Sequence, residues 1–284
     1  MDKPMEYIFV YDFLSICGFI NIVNKNYFFE FNNLIENAAN KVLEFGFTLE
    51  DFTNFNYSNL LDIEHLLEKS IENDKGFKLP SVSTLINRGP SEELFNNQST
   101  STSFSGSSNI IQPSTNLTTN ELRKLYSKCC LIGGDFEKYK DETSLTKFVE
   151  IICGIDYKQL KFKMEEYNKI LENKIILYKT LMEKIESNYL YENLITSFMP
   201  CNASIAGLLA KLILYQYNKF VSTENVFCLK SENRISDILL ILKNKFSDKK
   251  MILISEDIKI INLAQQLEIN CNLINTNDDY IRIN

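Results

Sequence analysis

Four aspartates in this chain occupy places where carboxylates could do chemistry. Asp12 closes the apolar run Tyr7-Ile8-Phe9-Val10-Tyr11, Asp51 follows Phe47-Thr48-Leu49-Glu50, Asp237 opens an apolar stretch after Arg234-Ile235-Ser236, and Asp257 ends Ile252-Leu253-Ile254-Ser255-Glu256. Hard divalent cations such as Mg²⁺ and Mn²⁺ take oxygen ligands, and a pair of them held by clustered carboxylates can activate water and stabilise a leaving oxygen. A plainer reading stands beside this one. The 37 acidic residues place some aspartates at element ends by composition alone, and aspartate commonly caps helices with its own side chain.

Positioning such acids requires strands that end together. Lys249 to Asp257 reads as a short buried strand, and Ile258 to Leu267 has apolar residues at helical spacing. The opening of the chain has the same plan, with a strand over 6–12 and a helix over about 13–23. In open α/β sheets, ligands bind beyond the carboxyl ends of the strands, so Asp12 and Asp257 are both expected there. Further helices are expected over about 28–43 and 59–72, with a short strand at Phe45 to Leu49. Later in the chain the pattern predicts a short strand at Val226 to Leu229, a helix over Arg234 to Phe246 and a last strand at Asn272 to Ile274. Strands alternating with helices point to a parallel sheet in an α/β fold.

The middle differs in character. Residues 75–118 hold the polar tract Gln98 to Ser108, flanked by Pro80, Pro90 and Pro113; it offers too little apolar area to offset its ordering entropy and reads as a disordered linker. A helix starts near Thr119-Asn120-Glu121, and Ser144 to Leu194 reads as helices of a bundle. Its heptad-like spacing over Tyr157 to Glu186 is too short to demand a coiled-coil partner. Ala203 to Phe220 reads as another apolar helix.

Composition narrows the functional classes. With 284 residues, 45% of them hydrophobic, the chain can bury a full core, and its formal charge of -7 gives no overall pull toward nucleic acid or anionic membrane. Seven scattered cysteines without a C-x-x-C pair, beside the single histidine His65, argue against a zinc site or disulfide framework and for a reducing, intracellular setting, cytoplasmic or nuclear. No signal peptide and no membrane span are expected. His65 reads as a partly buried surface histidine, Gly133-Gly134 as a plain turn, and Tyr27, Phe28, Phe29 and Phe31 as core aromatics rather than a base-stacking platform.

The segments around Asp12, Asp51, Asp237 and Asp257, in this order, resemble the four acidic motifs of PIN-type ribonuclease domains. The likeness is to eukaryotic PIN proteins of RNA surveillance, fungal nonsense-mediated-decay factors among them, where a strand ending in Ser/Thr-x-Asp precedes a helix with a buried alanine, as in Ser255 to Ala264. It covers about residues 5–60 and 222–278. The resemblance implies a three-layer α/β/α domain with a parallel sheet, built from 1–74 and 222–284. Residues 75–118 would be a linker and 119–221 a helical insertion. It further implies that Asp12, Asp51, Asp237 and Asp257 are catalytic ligands of Mg²⁺ or Mn²⁺ in a single-stranded endoribonuclease of mRNA decay. Two departures are visible: Phe13 follows the first aspartate in place of a small polar residue, and Asp51 or Glu50 replaces the usual second-motif glutamate. They keep open the alternative of a catalytically degenerate PIN-fold adaptor that binds an RNA helicase or another decay factor. An RNA-binding αβα sandwich of the ribosomal L7Ae type, or another Rossmann-like module, ranks behind both, because it lacks the Gly-rich RNA-contact turn and leaves the Asp12 segment unexplained.

Overall fold

The computed structural model describes residues 6–19, 25–44, 59–72, 118–187, 191–199, 204–229 and 234–274. Five parallel strands form one sheet: β1 (Tyr7–Asp12), β2 (Tyr191–Ser197), β3 (Val226–Cys228), β4 (Lys250–Ser255) and β5 (Asn270–Leu273), in the order β3-β2-β1-β4-β5. β1 is central. It pairs with β2 from Tyr7↔Tyr191 to Asp12↔Thr196 and with β4 from Tyr7↔Lys250 to Tyr11↔Ile254.

Alternation along the strands divides the core in two, since successive side chains point to opposite faces. Phe9, Tyr11, Ile195 and Ile254 enter the larger apolar cluster, while Ile8, Val10, Leu194 and Leu253 enter the smaller one. The smaller face is covered by α9 (Ile235–Lys245) and α10 (Ile258–Gln266), through Ile238, Leu239, Leu242, Ile260 and Ala264. The larger face is covered by α1 (Phe13–Ile16), α2 (Lys25–Glu44), α3 (Leu60–Glu72), α4 (Thr119–Lys138), α5 (Glu142–Lys147), a π-helical turn (Phe148–Ile152), α6 (Tyr157–Ile170), α7 (Lys174–Glu186) and α8 (Ser204–Leu214). Helices on both faces of a parallel sheet make an α/β/α arrangement, in keeping with the parallel α/β sheet read from the strand and helix alternation.

Several expectations change. The segment read as helical up to Leu194 ends in the first four residues of β2, which lies between β1 and β3. Leu194, Ile195, Thr196 and Ser197 are buried on both faces, and a short strand of this kind has no alternation to separate it from a buried helical segment. Thus residues 119–221 supply a strand of the sheet as well as helices. The helix after β1 is a single turn, ending at Cys17 before Gly18 at φ +72°. Gly133 and Gly134 lie inside α4 rather than in a turn, and the helix begins with the reciprocal cap of Thr118 and Glu121. His65 is exposed. Phe31 is buried and stacks on Tyr167 with centroids 4.5 Å apart, whereas Phe29 is exposed. The expected strand at Phe45 to Leu49 and all but the last residue of the 75–118 segment lie outside the described residues.

Gly18 makes a local requirement testable. Its positive φ suits glycine, and an added Cβ would be driven into the buried Leu171 side chain. Gly18→Ala is expected to destabilise the fold by roughly 1–3 kcal/mol, combining strain with overpacking. Urea unfolding checks this, and an unchanged midpoint would contradict it.

Candidate functional site at the carboxyl end of the sheet

Sheet order marks one place as special. From β1 the chain adds β2 and β3 on one side, then crosses to place β4 and β5 on the other, so the switch point lies between β1 and β4. Ligands of open α/β sheets favour the crevice beyond the strand ends at such a point. Asp12 ends β1 and Ser255-Glu256-Asp257 leaves β4, so segments 243 residues apart meet through side chains: Ser255 Oγ donates to Asp12 Oδ2 at 3.0 Å.

Asp12 is fully buried and occupied. Ser15 Oγ donates to the same Oδ2 at 2.9 Å, and the Leu14 N–H donates to Oδ1 at 3.2 Å, which makes Asp12 the N-cap of α1. Ser15, one helical turn after Asp12, also accepts the Glu256 N–H at 2.8 Å. Burial pushes the Asp12 carboxyl up to about 6; the Ser15, Ser255 and Leu14 donors work against that rise, and the charge of Asp257 adds to it.

The other acids have local duties. Asp257 Oδ1 accepts the Lys259 N–H at 2.8 Å and caps α10, while the Asp257 N–H donates to Ser255 Oγ at 3.0 Å. Asp237 Oδ2 accepts the Arg234 N–H at 2.7 Å, closing the first turn of α9. Asp51 lies outside the described residues. The structure therefore brings Asp12 and Asp257 to one end of the sheet, and it shows Asp237 as a helix-terminus acid without a bond to either.

Sequence reasoning missed two contributors, Ser15 and Lys174. Ser15 was legible as the i+3 neighbour of a capping aspartate. Lys174 was not, and Glu256 was readable only as a second acid at the end of β4. Lys174 Nζ donates to Glu256 Oε1 at 3.0 Å and Oε2 at 3.1 Å, with the Glu256 side chain wholly buried. The α6–α7 turn aims Lys174 there, with Glu172 and Asn173 at φ +52° and +64° and the Asn168 amide bonded to Asn173 Oδ1 at 3.0 Å. This pair ties α7 to the β4–α10 corner.

The donor set decides how well a divalent cation suits the site. Among the described residues no three His, Cys, Asp or Glu side chains gather as a metal centre requires. Three donors, two hydroxyls and one amide, already bind the Asp12 carboxylate, and Glu256 is engaged by an ammonium. The described residues thus do not fit a carboxylate-held metal pair. No cysteine forms a disulfide among them, and Cys17, Cys129, Cys153 and Cys228 are buried, as small apolar side chains would be. No described helix is long and apolar enough to cross a membrane. The chain matches no protein-family model and no curated protein sequence.

Proposed function

We infer that this chain is a PIN-like protein of RNA metabolism that serves as a binding module, a catalytically degenerate adaptor rather than a nuclease. The observation that carries the reading is the state of Asp12. Two serine hydroxyls and a backbone amide bind its buried carboxylate, so it acts as a tie between β1 and β4. An oxygen-ligand site for a hard cation needs several carboxylates with free lone pairs facing a shared opening. The same sheet end then works as a rigid scaffold, and the module's partners would be single-stranded RNA and a protein of RNA decay such as a helicase.

One observation favours the endoribonuclease reading as a second possibility. Asp12 and Asp257, from opposite ends of the chain, meet at the switch point, and the charge of one is felt by the other. Mn²⁺ titration by calorimetry, run beside cleavage of a labelled single-stranded RNA, separates the two. The adaptor reading expects no Mn²⁺ heat that depends on Asp12 or Asp257, and the same background cleavage by wild type and by an Asp12→Asn/Asp257→Asn double variant. Mn²⁺-dependent cleavage lost in the double variant would overturn it in favour of the nuclease, with Mg²⁺ or Mn²⁺ as the cofactor.

A further inference from the structure

A second charged feature lies away from the acids, where α7 meets the turn that follows α8. Lys179 Nζ stands 5.1 Å over the Tyr217 ring and Lys219 Nζ 4.9 Å over the Phe220 ring, and those two rings are neighbours with centroids 6.5 Å apart. The platform is fixed from below. Tyr217 Oη donates to the Ile16 carbonyl at 2.6 Å, and the Asn218 amide donates to the carbonyls of Phe136 and Tyr139 at 2.9 and 3.0 Å. Gln216, at φ +59°, reverses the chain just before these residues.

Two ammonium groups are thus held near one rigid turn, that of Lys179 largely buried and that of Lys219 on an exposed residue. Neither forms an ion pair among the described residues, although Glu183 lies one helical turn beyond Lys179 on α7. Burial first, and the Lys219 charge second, push the Lys179 ammonium down to about 8, as expected of like charges brought together without a counter-ion. Aromatic faces offset part of that cost through cation–π attraction, but each ring serves one cation and leaves its N–H donors free to meet an anion.

We propose that Lys179 and Lys219, set over Tyr217 and Phe220, form an anion site that takes a phosphate group. Each lysine brings three donors on a compact charge, which suits the oxygens of a tetrahedral oxyanion. With an overall charge of -7 the chain has no general attraction for polyanions, so such binding depends on this local pair. The phosphate could belong to a free small anion or to a polynucleotide backbone. The polynucleotide source rests on the reading of the chain as a protein of RNA metabolism.

The test has two arms, run on the full chain and on Lys219→Gln and Lys179→Gln. In the first, inorganic phosphate is titrated at constant ionic strength and the thermal midpoint is followed. In the second, fluorescence anisotropy follows a single-stranded oligouridylate without terminal phosphates over a series of salt concentrations. Lys219 is exposed and makes no hydrogen bond among the described residues, so its variant is expected to fold like wild type. The expected result is phosphate protection in wild type that both substitutions remove. If RNA binds, each substitution should weaken it on every sequence tried and lower the salt slope by about one. Phosphate binding lost in the variants, with no RNA binding by any form, supports the site and removes its polynucleotide source. Phosphate and RNA bound equally by wild type and variants overturns the site while leaving the RNA-metabolism reading in place. Absence of both from wild type overturns the site as well.

Discussion

Lys174→Met is expected to destabilise the protein by about 3–5 kcal/mol, the range for breaking a buried ion pair from one side. The substitution removes both hydrogen bonds that the ammonium gives to Glu256, whose side chain is 0% exposed. Glu256→Gln should cost less. The Lys174 side chain is 11% exposed and can turn its ammonium toward water, whereas the glutamate has no such route. A Lys174→Met/Glu256→Leu double variant should recover much of the loss, because apolar side chains of similar volume avoid the desolvation that charges incur. For a chain of this size the single change corresponds to a fall in melting temperature on the order of 10 °C. Urea unfolding of the three variants beside wild type measures these differences. Equal stability of Lys174→Met and wild type would show that the pair does not hold α7 to the β4–α10 corner.

The second large effect has the opposite sign. Asp12 is raised from 3.8 to about 6 in the folded state, chiefly by burial, so the native protein holds that proton more tightly than the unfolded chain does. Stability from this group is therefore fully present below about pH 4 and is lost as the pH rises through 6. A shift of that size corresponds to roughly 3 kcal/mol of cost above pH 6. Asp12→Asn removes the charge, keeps one oxygen to accept from Ser15 or Ser255, and gives up part of the N-cap bond from Leu14, worth about 1 kcal/mol. The net expectation is a gain of about 1–2 kcal/mol at pH 8 that disappears by pH 4. Thermal melts across that range measure it. If Asn at this position is less stable than Asp at pH 8, the charged carboxylate has a stabilising partner at the sheet end, such as a bound cation, and the structural role assigned to Asp12 fails.

Both effects arise where distant segments meet, and they separate what is legible in a sequence from what is not. β1 and β4 are readable because each is a short apolar run closed by an acid, and α10 because Ile260, Ile261 and Ala264 keep helical spacing. Asp12 and Asp257 are readable as strand-end acids for the same reason. Their duties as caps follow from their own next few residues, since Leu14, Ser15 and Lys259 are the local donors.

A parallel α/β sheet with acids at its carboxyl end is thus legible along the chain, because burial pattern and helix capping are written within a few residues of one another. The place of β2 in that sheet is settled by the assembled fold. Tyr191-Glu192-Asn193-Leu194 has no strong local preference; its extended form is held by pairing with β1, and the buried Ile195 to Ser197 that continue the strand pair with β3 as well. The same holds for the Ser255–Asp12 bond, the Lys174–Glu256 pair and the two lysines over Tyr217 and Phe220. The bond from Ser255 to Asp12, the pair of Lys174 with Glu256 and the contact of Lys179 with Tyr217 join residues 243, 82 and 38 positions apart, and no local spacing rule encodes such a contact. Sheet order fixes which strand ends share a crevice, and packing fixes which charges are buried there; both are properties of the assembled core.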